Sequence, residues 1–190
     1  MMAGRRTDTR ERIQQVALEL FAERGYEKTT LREVAERLRI TRPALYYHFK
    51  AKEEILVGIM EDLMASVDDL VEWAGDQAPT VAARYEILRR IAELLEDQWR
   101  PLIRFAQVNQ AAMRELPIGD RMSASMMTLL SVLRTGDGDP VRQFEAQLAV
   151  IALIIGSAPF PFDVHLPDGE RSITAMKVAQ KLVSGEQPPE

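Results

Sequence analysis

Apolar residues return every three or four positions along almost the whole chain, and no stretch keeps the two-residue alternation of a half-buried strand. The pattern predicts an all-α protein. Near the N-terminus Ile13, Val16, Ala17, Leu20 and Phe21 form one stripe. Asp8 with Glu11 reads as the capping box that opens this helix, and Gly25 supplies its stop. Thr30 with Glu33 is a second box, opening a helix whose core face is Leu31, Val34, Ala35 and Leu38. Thr41 caps a third helix, with Pro43 in the first turn, where a missing N–H costs nothing. Leu45 and Phe49, four apart, pin that helix to the other two. A long helix follows from Lys52 to about Ala74, carrying Ile55, Leu56, Ile59, Met60, Leu63, Met64, Val67 and Leu70. Further amphipathic helices are expected near 79–98, 101–115, 118–134, 140–157 and 167–184. Pro101, Pro117, the GDGDP turn, the PFPFDVHLPDG loop and the GEQPPE tail punctuate them.

Three helices in quick succession, the second and third joined by a short turn, match the helix-turn-helix pattern, whose last helix lies in the DNA major groove. The expected organisation is a helix-turn-helix domain over residues 1–52 and a larger helical bundle over 53–190. Charge divides along the same line. The net charge is −5, but residues 1–52 carry twelve Lys+Arg against seven Asp+Glu, leaving an acidic body. A basic segment on an acidic body points to a polyanion partner for the first part only. With 46% hydrophobic residues a sizeable core is available. The absence of cysteine removes disulfides and thiolate chemistry and fits a reducing cytosol. No apolar run follows the N-terminal arginines, and the longest uncharged apolar run, about 147–162, is broken by Gly156, Pro159 and Pro161. A soluble, cytoplasmic protein without a membrane partner is expected.

The stretch TRPALYYHFKAKEE, residues 41–54, carries the chemistry. Arg42 stands at the N-terminal end of the third helix, where a guanidinium could pair with guanine N7 and O6. Pro43 and Ala44 suit close approach to a thymine methyl. Tyr46 and Tyr47 can lay their rings along the sugar-phosphate wall with the hydroxyls on phosphate or a base edge, and His48 can donate to phosphate. Lys52 adds a cation at the first turn of the next helix, where free N–H groups already favour an anion. Each residue alone could be ordinary packing or surface; together they point to double-stranded DNA.

Residues of about 7–55 resemble the DNA-binding region of the TetR family of bacterial transcriptional regulators. The features are Phe21, Gly25 and Tyr26, Thr29 and Thr30 opening the second helix, and the run T-x-x-x-L-Y-x-H-F from Thr41 to Phe49 with Lys52. The resemblance implies a homodimer on an inverted-repeat operator, usually a repressor released by a small molecule. It also implies phosphate contacts from Thr30, Tyr47, His48 and Lys52 and base contacts from Arg32, Arg42, Pro43 and Tyr46. Thr29 and Thr41 complete the set expected at the DNA. One departure stands out. The family commonly has glycine between the second and third helices, and this chain has Arg39, which must turn left-handed or reshape the turn.

Beyond residue 55 the resemblance is one of architecture. Val141, Phe144, Leu148, Ile151 and Ile155 form a stripe that then turns apolar almost all round, so a homodimer through helices near 140–157 and 167–184 is expected; a central core helix in a monomer is the alternative. For a small, largely apolar effector the candidates are Met60, Met64, Trp99, Phe105, Asn109, Met113, Met126 and Met127, each of which could equally be core. His165 with Asp163 makes no metal site without further ligands. No cofactor and no metal are expected, and no phosphate loop or nucleophile elbow points to an enzyme. The other functional class left open is a helical interaction module with a vestigial DNA-binding domain.

Overall fold

The computed structural model describes residues 3–109, 119–133, 139–157 and 168–184, and every regular element among them is helical. By packing the chain divides into two units, Met1–Leu63 with Pro101–Gly119, and Met64–Arg100 with Asp120–Glu190. That division does not coincide with the boundary expected at residue 52. The first turns of the long helix, and the segment from Pro101, group with the N-terminal helices.

In the first unit, α1 (Ala3–Arg24), α2 (Leu31–Leu38) and α3 (Arg42–His48) are followed by the opening turns of α4 (Lys52–Gly75). Helix α1 starts well before the box expected at Asp8 and Glu11, so Asp8 lies inside the helix and not at its start. The second box is present in both arms: Glu33 N–H donates to Thr30 Oγ1 and Thr30 N–H donates to Glu33 Oε2. Such a cap contributes about 1 kcal/mol. Ile13, Ala17, Leu20, Phe21, Leu31, Val34, Ala35, Leu45, Phe49, Ile55 and Leu56 are all buried, so the two predicted stripes and the Leu45–Phe49 pin form one core. Gly58 lets α4 lie close to α1. A Cβ there would come within 2.6 Å of Arg10 Nη2, and beside it Gln14 donates to Asp62 at 2.6 Å.

Arg39 resolves the question raised by the missing glycine. It is left-handed, at φ 55° and ψ 38°. Its N–H donates to Glu36 O, and Ile40 N–H reaches back to Ala35 O. These are the two bonds of a Schellman ending, so the turn keeps the form a glycine would give it.

In the second unit, α5 (Val81–Leu94) is capped by Thr80 and runs into a π-helical turn, Leu95–Trp99; the chain continues into α6 (Arg100–Val108), which from Pro101 groups with the first unit. Pro101 therefore does not separate two helices as expected. Proline in a helix interior donates no bond and crowds the carbonyl four residues back. The wider turn just ahead of it, in which Arg100 N–H donates to Leu95 O five residues back, absorbs that misfit. Helices α7 (Gly119–Leu130), α8 (Pro140–Ser157) and α9 (Asp168–Ser184) follow, and α8 and α9 pack along each other and onto α5. Gly156 makes the closest approach: a Cβ there would stand 2.2 Å from Ala175 Cβ. Arginines close the helix ends. Arg100 Nε donates to Ser157 O at 2.9 Å and Arg84 to Val183 O at 3.4 Å, cations placed where helix carbonyls lack partners. No described helix is long and apolar enough to cross a membrane.

Candidate nucleic-acid interface

Helix α3 is short because Thr41 starts it and the chain leaves helical geometry at Phe49. Ala44 N–H donates to Thr41 Oγ1 at 3.3 Å, and Pro43 occupies the first turn. Leu45 and Phe49 face inward and fix the helix to its unit, which turns Arg42, Pro43, Ala44, Tyr46 and Tyr47 outward. Tyr46 is 44% and Tyr47 61% exposed, an uncommon state for two adjacent large aromatic residues. His48 is half-buried, its ring edge-on to Tyr47 with centroids 5.4 Å apart. Lys50 bonds Tyr46 O through its ammonium and Glu54 through its backbone N–H, closing the C-terminal end of the helix. The result is one exposed face with a guanidinium, two phenols and flat small residues.

The flanking residues divide. Thr30 is exposed on the same unit, its hydroxyl shared with Glu33, whose carboxyl is held below the usual range by bonds from Thr30. Arg32 is exposed and paired with Glu36 at 2.7 Å, so a phosphate or base must replace or share that partner. Thr41 is exposed, but its oxygen serves α3 as the cap.

Two expectations change. Thr29 is 1% exposed and its hydroxyl donates to Gly25 O at 3.0 Å and Leu20 O at 3.3 Å, so its side chain closes the end of α1 and is not presented to DNA. Lys52 is half-buried and turned inward: Nζ donates to Tyr26 O at 2.8 Å and lies 4.4 Å from the Tyr26 ring centroid. It braces the corner between α1 and α2, and a phosphate would have to share its remaining donors.

The expected effector residues fall in both units. Met60, Phe105 and Asn109 belong to the first unit; Met64, Trp99, Met126 and Met127 belong to the second. Phe105 is fully buried against Phe21 and Tyr26, with ring centroids 5.9 and 6.0 Å away. The Asn109 carboxamide is bonded to the backbone of Tyr26, Phe21 and Phe105. Both serve the N-terminal core and leave the effector list. Met127 is 67% exposed and lines no interior. Met64 is buried, Met126 half-buried, and Trp99 keeps a buried indole N–H with no hydrogen-bond partner among the described residues. Met113, and the loop with Asp163 and His165, lie outside the described residues. Tyr26 and Glu53 escaped the sequence reading as structural partners, because a phenol-to-carboxylate bond between residues 27 positions apart leaves no local signature.

Residues 13–59 match the family model described as bacterial regulatory proteins, tetR family. The repressor KstR2 of Rhodococcus jostii is 38% identical over 85 residues, 43% of this chain and 40% of the relative. The regulator AcrR of Shigella flexneri is 38% identical over 63 residues, 33% of this chain and 29% of the relative. The matched stretch thus spans less than half of each relative's length. Among solved structures, a transcriptional regulator of Aquifex aeolicus aligns with a TM-score of 0.58 at 21% identity, over 93% of this chain and 96% of that one. AibR, solved in complex with isovaleryl coenzyme A and operator DNA, aligns with a TM-score of 0.53 at 22% identity, over 88% and 95%. At those identities the likeness is one of fold.

Proposed function

We propose, from the match of residues 13–59 to the tetR family model and the likeness of fold to solved transcriptional regulators, that this protein is a ligand-responsive transcriptional repressor of the TetR family. It binds an inverted-repeat operator as a homodimer. The observation that carries the proposal is the outward face of α3, where Arg42, Tyr46 and Tyr47 stand exposed over a buried Leu45–Phe49 anchor. A solvent-facing helix has no packing use for two phenols and a guanidinium. A duplex groove has one for each: paired acceptors on guanine for Arg42, sugar-phosphate walls for the tyrosines. Pro43 and Ala44 contribute close apolar contact, and Thr30, His48 and Arg32 reach for phosphates or bases at the edges.

Dimerisation is supported by what α8 leaves uncovered. Its buried face is Ala146, Ala149, Val150, Leu153 and Gly156; the stripe of Val141, Phe144, Leu148, Ile151 and Ile155 is exposed or half-exposed, with Val141 at 63% and Phe144 at 60%. On α9, Ile173 and Val178 are exposed as well. An apolar stripe of this length fits a second copy of the chain, and two copies give the paired readers an inverted repeat requires.

Release by a small ligand rests on kinship: KstR2 and AcrR are a repressor and a regulator by name, and AibR has been solved with an acyl coenzyme A beside operator DNA. In this chain the described candidates that remain are Met60, Met64, Trp99 and Met126. Ligand release requires that the effector prefer the non-binding state, since equal affinity for both shifts nothing. The direct test of α3 is Arg42→Ala. It should weaken binding by about 1–3 kcal/mol per half-site and relax base preference at one position. Equal loss on specific and random duplexes would make Arg42 a phosphate contact, and no loss on either would remove α3 from the interface.

A further inference from the structure

The corner between α1 and α2 is held by a residue far away in sequence. Asn109 Oδ1 accepts from Tyr26 N–H at 2.8 Å, while Nδ2 donates to Phe105 O at 3.0 Å and to Phe21 O at 3.4 Å. The amide orientation follows from its partners, since a backbone N–H only donates and carbonyls only accept. Phe21 O lies in the last turn of α1 and already accepts from Gly25 N–H at 3.1 Å, and Tyr26 N–H follows the left-handed Gly25 at φ 89°. Asn109 thus gives Tyr26 N–H an acceptor and Phe21 O a second donor at a single corner.

Tyr26 carries that restraint outward. Its ring meets Phe21 edge-on at 5.0 Å, its hydroxyl donates to Glu53 at 2.9 Å, and its carbonyl accepts from Lys52. Glu53 and Lys52 form the first turn of α4, which begins three residues after α3 ends. In the other direction the chain reaches Thr30, the cap of α2, four residues beyond Tyr26, and α2 sets α3 through the Arg39 turn. The corner therefore precedes α2 in the chain and meets the helix that follows α3.

We infer that Asn109 is a positioning residue for DNA recognition. It touches no base. It fixes the corner from which the reading helix takes its orientation, and it does so with directional bonds that apolar contact could not replace. The inference rests on the DNA-binding function proposed above. Base contacts fail when a donor is displaced by a fraction of an ångström or tilted, whereas phosphate contacts tolerate more. Loss of Asn109 should therefore fall on specificity before it falls on general affinity.

The test begins with selection, by the wild-type chain, of a preferred duplex from a random-sequence pool. Wild type, N109A and N109D are then titrated with that duplex and with a scrambled one at fixed salt, with circular dichroism and urea melts confirming that each is folded. N109A should lose about tenfold on the selected duplex, the scale of one base contact, and stay within about twofold on the scrambled one. A purely structural role would lower both together through the unfolded fraction. N109D keeps an acceptor for Tyr26 but turns a carboxylate oxygen toward two carbonyls. Its loss should likewise fall on the selected duplex more than on the scrambled one, because the amide donor to Phe21 O and Phe105 O is gone. An unchanged specificity ratio in N109A overturns the inference. If N109A does not fold, an unchanged specificity ratio in N109D overturns it. If wild type selects no duplex, the DNA-binding function itself fails and takes this inference with it.

Discussion

Arg39 holds φ 55° in a turn that ordinarily favours glycine, and a left-handed conformation costs a residue with a Cβ about 1–2 kcal/mol. Glycine would remove that cost but lose more backbone freedom on folding, by about 0.5–1 kcal/mol. Arg39→Gly is therefore expected to raise stability by about 0.5–1 kcal/mol, read as a higher urea midpoint with an unchanged slope. A lower midpoint would mean that the arginine side chain contributes more than its backbone costs. The substitution should leave DNA specificity alone, because both bonds of the Schellman ending come from the backbone. Thr29 teaches the opposite lesson at the same scale. Beside Thr30 it looks like a second hydroxyl for phosphate, yet it is buried with both acceptors inside the fold. Adjacent residues at a helix start point in different directions, and sequence alone does not say which one faces solvent.

At the scale of elements, what was legible was local. The Thr30–Glu33 box, the Thr41 cap and the Leu45–Phe49 pair are satisfied within a few residues of themselves, so their spacing already states their geometry. Pro101 was misread because a proline inside a helix usually ends it, and the π-helical turn that accommodates it at Leu95–Trp99 has no composition of its own. Phe105 and Asn109, both among the expected effector residues, stand four apart and so share one helix face. That spacing is correct for a helix face but silent about which unit the face meets, and here it meets Phe21 and Tyr26. The Asp8–Glu11 box failed because a box specifies a start only when nothing upstream continues the helix. Close packing of α8 on α9 makes its own prediction. Gly156→Ala would set a methyl 2.2 Å from Ala175 Cβ and 3.4 Å from Arg171 O, contacts that only backbone movement relieves. It should destabilise by about 1–3 kcal/mol in a urea melt, while Gly58→Ala, facing the flexible end of Arg10, should cost less. The reverse order would place the tight helix contact elsewhere.

At the scale of the whole molecule, a basic N-terminal segment with the exposed α3 face is joined to an acidic body whose α8 carries an exposed apolar stripe, which we propose seats a second copy. Duplex binding is the property on which the function depends, and salt dependence reports it without knowledge of the operator. The decisive measurement is a titration of the purified full chain against the DNA flanking its own coding region, from low to moderate salt. Two chains should bind per site, with an affinity that falls linearly in log salt at a slope of about one unit per neutralised phosphate. A folded protein that binds no double-stranded fragment at the lowest salt would contradict it, leaving a helical bundle whose exposed tyrosines and arginine serve another partner.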